Sequence, residues 1–96
     1  MSDTLAEFAA FLHPRAAGRL QGTAKLVLTD IGAVMLDANG ARIGDGPADV
    51  TLTAHKDVFR RILSGDQNAM MAVMTGKLRV EGSATRALKI AEILTA

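Results

Sequence analysis

The sequence predicts one α+β domain over residues 1–96, built on a five-stranded, largely antiparallel sheet with helices covering one face. The first observation is length, because 96 residues are enough for a single modest core. The second is order: four strand-like segments follow one another, and segments of helical period lie before and after them. Sequential strands with short turns are typical of antiparallel sheets, and segregated helices are typical of one covered face.

The first element is a helix. Apolar residues recur at the i, i+3, i+4, i+7 spacing of one helical face, namely Leu5, Phe8, Ala9 and Leu12. Pro14 disfavours helical geometry at the residue before it, so we expect this helix to end at His13. A single apolar stripe normally packs on the protein's own core, so the helix predicts at most transient contact with a membrane.

Four strands follow the first helix. An apolar residue recurs at every second position in the segments 24–30 and 50–54. Residues 33–38 are expected as a strand that carries Val34 and Leu36, and 41–44 as a short strand after it. Asn39 and Gly40 together indicate a hairpin with a type I′ turn, because both residues tolerate positive φ. The consecutive strands therefore predict an antiparallel meander.

The second half returns to helical spacing. A helical stripe ends at Gly65, and Asn68 is expected to cap a second, Met-rich helix that ends at Gly76. Residues 77–81 predict a fifth strand with an apolar and a charged face. Ser83 is a suitable N-cap for the last helix, whose apolar arc is wide.

Composition excludes several classes of function. The formal net charge is only +1, and the three Phe residues stand without any Trp or Tyr, so neither a basic stripe nor stacking platforms for nucleic acid are visible. The absence of cysteine excludes disulfides and thiolate chemistry. No apolar run reaches the ~20 residues of a membrane span. The N-terminal segment lacks the basic region of a secretory signal, so we expect a cytoplasmic protein.

No catalytic constellation is recognisable. His13 and His55 are far apart and belong to no HExxH-type metal motif. No serine lies in a G-x-S-x-G elbow, and no phosphate-binding glycine loop is complete. We therefore expect no enzyme activity, no catalytic residue, no metal and no cofactor.

Three segments resemble the sterol carrier protein type-two family. Residues 70–83, MMAVMTGKLRVEGS, are similar to its Met-bearing helix, its G-K-[LM]-[KR]-[VI]-x-G strand and the start of its terminal helix. Residues 48–53, ADVTLT, match a family strand, and residues 20–23, LQGT, look like the lead-in to its first strand. The resemblance implies a five-stranded sheet backed by helices, with an apolar tunnel between them for sterols, fatty acids or acyl-CoA.

Ten apolar residues are the candidates for lining that cavity. The helical spacing of these apolar residues, taken alone, favours the interpretation that they simply fill the core. The resemblance favours a ligand cavity instead, and methionine is a common lining of adaptable apolar surfaces. The candidates are Phe59, Leu63, Met70, Val73, Met74, Leu78, Val80, Leu88, Ala91 and Leu94.

Three functions remain open at this point. The first is a non-catalytic binding or carrier domain for a fatty acid, acyl-CoA, sterol-like or isoprenoid lipid. The second is an accessory protein that presents lipid intermediates to biosynthetic enzymes, such as those of ubiquinone synthesis. The third is a ligand-free dimerisation module. The expected partner is a lipid-like small molecule and not nucleic acid, with a homodimer or a lipid-processing enzyme partner left open.

Overall fold

The computed structural model describes residues 4–95, and the side chains of residues 4–93. Four helices and five strands follow one another within residues 4–95. They are α1 (Thr4–Ala16), β1 (Ala24–Leu28), β2 (Gly32–Asp37), β3 (Gly40–Ile43), β4 (Val50–Ala54), α2 (Lys56–Ser64), α3 (Ala69–Met74), β5 (Arg79–Gly82) and α4 (Ala84–Thr95). The predicted α+β class and its five-stranded sheet are confirmed.

The five strands form one mixed sheet in the order β3-β2-β1-β4-β5. Three neighbouring pairs are antiparallel, and β1 pairs with β4 in parallel. The prediction of a largely antiparallel sheet is therefore confirmed, whereas the simple meander is wrong at the fourth strand. The β2–β3 hairpin and the loop after it serve as the long connection that parallel strands require. Alternating hydrophobicity indicates a strand but does not say which neighbour it joins.

The first helix continues past the end that the sequence predicts, because Pro14 lies inside α1. Proline removes one helical hydrogen bond, but Leu12 and Ala16 on the same turns are fully buried against the protein. The backbone N–H of Ala17 still donates to the carbonyl oxygen of His13 at 2.9 Å. Burial of the last turn outweighs the local preference of the residue before proline.

The β2–β3 turn also differs from the prediction. Asp37 is paired with Gly40, so the turn residues are Ala38 and Asn39, one position earlier than a turn centred on Asn39 and Gly40. No non-glycine residue in the described part of the chain has positive φ, which excludes a type I′ turn at Asn39. Instead, the Asp37 carboxylate accepts a hydrogen bond from the Asn39 backbone N–H at 2.9 Å.

The core lies between the sheet and the helices. Every second residue of β1 and β4 is buried, and α1 packs on β2 and β3 while α4 contacts β4 and β5. The largest fully buried side chains are Leu12, Leu26, Leu28, Val34, Leu36 and Val50. The helices therefore cover one face of the sheet, and the β4–β5 side carries α4 together with the shorter α2 and α3.

The predicted caps of the C-terminal helices are confirmed. The Asn68 side-chain oxygen accepts from the backbone N–H groups of Met70 at 2.8 Å and Met71 at 3.2 Å. The Ser83 hydroxyl accepts from the N–H of Arg86 at 3.3 Å. Gly65 ends α2 with φ of 90°, the left-handed conformation that glycine adopts without strain. These caps determine where α3 and α4 begin beside the sheet.

Candidate functional site

An apolar cleft of about 160 Å³ opens between the β4–β5 edge of the sheet and the last two helices. It is lined by residues from β4, α3, β5, α4 and the turn that leads into β5, and every one of them is apolar. They are Leu52, Ala69, Met70, Val73, Met74, Leu78, Val80, Ala84, Ala87, Leu88 and Ala91. Such a lining can bind apolar groups but offers no side chain for acid–base or nucleophilic chemistry.

The floor of the cleft is buried and its rim is exposed. Leu52, Leu78 and Ala87 are each 4% exposed, whereas Met70 is 52% and Met74 is 73% exposed. Five of the seven large exposed apolar side chains in the described part of the chain belong to α3 and α4. Exposed apolar surface concentrated at a concave site is typical of binding sites.

The cleft follows from the local structure of α3 and the turn after it. Ala72 is fully buried on the inner side of α3. Met70, Val73 and Met74 line the cleft and are exposed to solvent. The backbone N–H of Leu78 donates to the carbonyl oxygen of Ala72 at 3.0 Å, which folds the chain back beneath the helix. This turn places the Leu78 side chain in the floor.

Seven of the ten predicted lining residues lie around this one cleft: Met70, Val73, Met74, Leu78, Val80, Leu88 and Ala91. Phe59 and Leu63 lie outside it. Phe59 is 4% exposed in the core, and Leu63 lines a groove between α1 and α2. The side chain of Leu94 lies outside the described residues.

Four of the residues that line this cleft are not among the ten predicted from the sequence. Leu52 is one of the inward residues of β4, and the other three are the small residues Ala69, Ala84 and Ala87. The alternation in β4 marks Leu52 as inward-facing. Alanine carries little such signal, because a small side chain creates space only when the neighbouring elements are in place.

A second, more polar cleft of about 480 Å³ adjoins the first and shares Ala69, Met70, Leu88 and Ala91 with it. Its remaining lining comes from the end of α2, the α2–α3 linker and α4. These residues are Ile62, Gly65, Gln67, Asn68 and Glu92. We call the last three the polar lip. Together, the two clefts place hydrogen-bonding groups beside a purely apolar space.

A groove of about 560 Å³ between α1 and α2 is larger but differently built. Phe8, Phe11 and Leu63 share it with the polar residues Glu7, Arg60 and Ser64, and no strand contributes to it. The Arg15 guanidinium covers the Phe11 ring at 3.9 Å. Half of the residues that line this groove are polar, whereas every residue that lines the cleft at α3 and α4 is apolar.

The carboxyl groups with shifted pKa values lie outside both clefts. A side-chain hydrogen bond from Arg42 lowers the pKa of Asp37. Partial desolvation raises the pKa of Asp30, but the Lys56 backbone N–H and the nearby His55 and Lys56 side chains outweigh it, so the net shift is downward. Within the part of the chain that the structure describes, no three His, Asp or Glu side chains come together as metal ligands.

None of the helices described between residues 4 and 95 combines the length and the apolar composition that crossing a membrane requires. The longest of them, α1, has 13 residues.

The family model for the SCP-2 sterol transfer family matches residues 6–95 of this chain. A fatty acid-binding protein of Yarrowia lipolytica is 40% identical over 55 residues, which are 57% of this chain and 43% of that protein. The matched segments span between 12% and 43% of the lengths of the curated relatives.

Two solved structures share the fold. Sterol carrier protein 2 from Y. lipolytica, in its apo form, superposes with a TM-score of 0.69 at 28% identity over 96% of this chain and 81% of that chain. Sterol Carrier Protein-2 from Aedes aegypti, solved in complex with palmitate, gives a TM-score of 0.80 at 21% identity over 98% and 96% of the two chains. The family match therefore confirms the predicted resemblance, and the chain belongs to the SCP-2 sterol transfer family.

Proposed function

We propose that this chain is a non-catalytic carrier domain that binds the apolar part of a lipid-like molecule in the cleft between β4, β5, α3 and α4. The observation that carries the proposal is the lining: eleven residues, all apolar, with a buried floor and an exposed rim. Water in contact with such a surface is unfavourable by about 25 cal/mol per Å² of apolar area. A bound hydrocarbon chain would relieve that cost.

The relatives support the same class of ligand. The similar protein of Y. lipolytica is named a fatty acid-binding protein, and the A. aegypti structure with the same fold holds palmitate. Neither identifies the ligand of this chain, but the name of the one and the palmitate of the other support an apolar chain as the ligand. Lipid binding therefore agrees with both the geometry and the family.

The volume of the cleft limits the length of hydrocarbon chain that it can hold. An apolar cavity of roughly 150 Å³ is enough for a molecule the size of benzene. The cleft of about 160 Å³ would therefore accept a short segment of hydrocarbon without rearrangement. A longer chain needs the rim to move, and Met70 and Met74 suit that task because methionine is flexible and both side chains are more than half exposed.

A cleft-filling substitution tests the proposal. Leu88 lines the cleft and is 38% exposed, so Leu88→Trp can place its ring in the cleft without overpacking the core. Met71 is 52% exposed on α3 and lines neither cleft, which makes Met71→Trp the matched control. We expect the parent and Met71→Trp to enhance the fluorescence of the uncharged dye Nile red, and decanol to displace it. Leu88→Trp should bind at least tenfold more weakly with little change in thermal stability.

The outcomes separate the alternatives. If the parent binds neither Nile red nor decanol, the carrier proposal is wrong. If Leu88→Trp binds Nile red as tightly as Met71→Trp does, the ligand lies outside this cleft. Native mass spectrometry of protein purified from cells distinguishes the remaining classes: an empty dimer supports a dimerisation module, and a co-purified enzyme supports the accessory role.

A further inference from the structure

We propose that the polar lip selects ligands with an uncharged, hydrogen-bonding head group and discriminates against fatty-acid anions of the same chain length. This inference rests on the proposed function, because it assumes that the apolar tail lies in the cleft of about 160 Å³. It adds the chemical class of the head group and names Glu92 as the residue that determines specificity.

The position of the head group follows from how the two clefts meet. Ala69 and Met70 on α3, with Leu88 and Ala91 on α4, line both of them. A tail in the apolar cleft can therefore continue into the adjoining one along these shared apolar residues. The first polar groups that it meets there are those of Gln67, Asn68 and Glu92.

The lip offers amide groups to a ligand. The Asn68 side-chain oxygen is used in capping α3, since it accepts from the N–H groups of Met70 and Met71. Its amide nitrogen is then the group available to donate. Gln67 is half-buried, and its side-chain amide carries both a donor and an acceptor. An alcohol or amide head group can exchange hydrogen bonds with both residues.

The charge of the lip disfavours a carboxylate. Among the described residues that line the two clefts, none is Lys, Arg or His, and Glu92 is the one charged residue. Asn68 and Glu92 are exposed, so a carboxylate head group at the lip would stay near water but would approach the like charge of Glu92. The basic residues of α4, Arg86 and Lys89, line a separate groove with Arg19 that shares no residue with either cleft.

The experiment compares 1-decanol with decanoate as competitors for bound Nile red, at about pH 8, where a simple carboxylic acid is ionised. The two molecules have the same chain length, so the ratio of their displacement constants reports the head group. We expect decanol to bind at least tenfold more tightly than decanoate to the parent chain. Glu92→Gln should reduce that ratio about fivefold by removing the like charge.

Two further variants keep the test independent of one substitution. Asn68→Asp retains a good helix cap and adds a negative charge to the lip, so the preference for decanol should increase. Glu81→Gln is the control. Glu81 pairs with Thr51, whereas the cleft residues Leu52 and Val80 pair with each other on the opposite face of the sheet. The same change of charge at residue 81 should leave the ratio unchanged.

The failure of this inference differs from the failure of the proposed function. Decanoate that binds as tightly as decanol overturns the selection of uncharged head groups while lipid binding stands. A preference for decanol that Glu92→Gln and Asn68→Asp leave unaltered overturns the role of the lip. If neither competitor displaces the dye and the dye itself does not bind, the carrier function fails, and this inference fails with it.

Discussion

The imidazole Nδ1 of His13 accepts a hydrogen bond from the backbone N–H of Ala41 at 3.1 Å. The bond joins the last turns of α1 to β3, the edge strand of the sheet. The same nitrogen lies 3.3 Å from the carbonyl oxygen of Ala41, so the ring meets both backbone polar groups of that residue. An exposed side chain of α1 therefore contacts a backbone N–H group 28 residues further along the chain.

His13→Ala removes this bond, and we expect the free energy of unfolding to fall by about 1 kcal/mol. Urea denaturation followed by circular dichroism measures the change. Arg19→Ala, at an exposed position shortly after α1, is the control and should change stability by less than about 0.5 kcal/mol. Equal denaturation midpoints for the two variants would show that the bond contributes nothing to stability.

Asp37 predicts how stability depends on pH. The Arg42 guanidinium donates to its carboxylate at 2.8 Å and lowers its pKa below the ordinary value of 3.8. A carboxyl whose folded pKa is lowered stabilises the protein above its unfolded pKa, and loses that contribution as the pH falls through its folded pKa. Asp37→Asn should therefore be less stable than the parent at neutral pH.

The difference between Asp37→Asn and the parent should shrink as the pH falls below 3.8. Urea midpoints measured from neutral to strongly acidic pH provide the comparison. The Asn39 N–H bond contributes to the same pKa shift, and an amide oxygen can still accept it, so part of the turn survives in the variant. A difference that stays constant over the whole range would contradict the assignment.

Gly82 and Gly46 predict a large and a small effect of the same substitution. Gly82 has φ of 103°, and a Cβ atom there would lie 2.5 Å from the backbone oxygen of Asp49. Gly46 meets nothing within 4 Å. Gly82→Ala should lower the free energy of unfolding by roughly 2–3 kcal/mol, and Gly46→Ala by less than about 0.5 kcal/mol. The melting temperatures of the two variants measure this difference. Similar melting temperatures would contradict the close approach of Gly82 to the Asp49 backbone at the β5–α4 corner.

Asn68 connects the stability of α3 to the cleft. Asn68→Ala leaves the N–H groups of Met70 and Met71 without their cap, which should cost about 1 kcal/mol. Asn68→Asp keeps an oxygen acceptor at the same place and should restore most of the loss. Urea denaturation midpoints of Asn68→Ala, Asn68→Asp and the parent measure both effects. If Ala and Asp at this position are equally destabilising, the cap is not what stabilises the helix.

Local signals in the sequence were sufficient to find the helices and strands and several of their ends, although not the end of α1 or the β2–β3 turn. Asn68, Ser83 and Gly65 act within their own turn of helix, so their residue types alone predict where α2, α3 and α4 begin or end. The strands β1 and β4 were likewise found from their period-two spacing. The family was recognisable because its motifs follow one another at matching spacing over most of the chain.

Tertiary structure decided what local signals cannot express. It placed β4 beside β1 in parallel, continued α1 past Pro14 because Ala16 is buried, and moved the β2–β3 turn one residue earlier. It also separated Phe59 and Leu63 from the cleft and brought Leu52, the small alanines and the polar lip to it. Periodicity shows which side of an element faces inward, but a cavity is the space between elements. Its lining therefore depends on how the sheet and helices pack together.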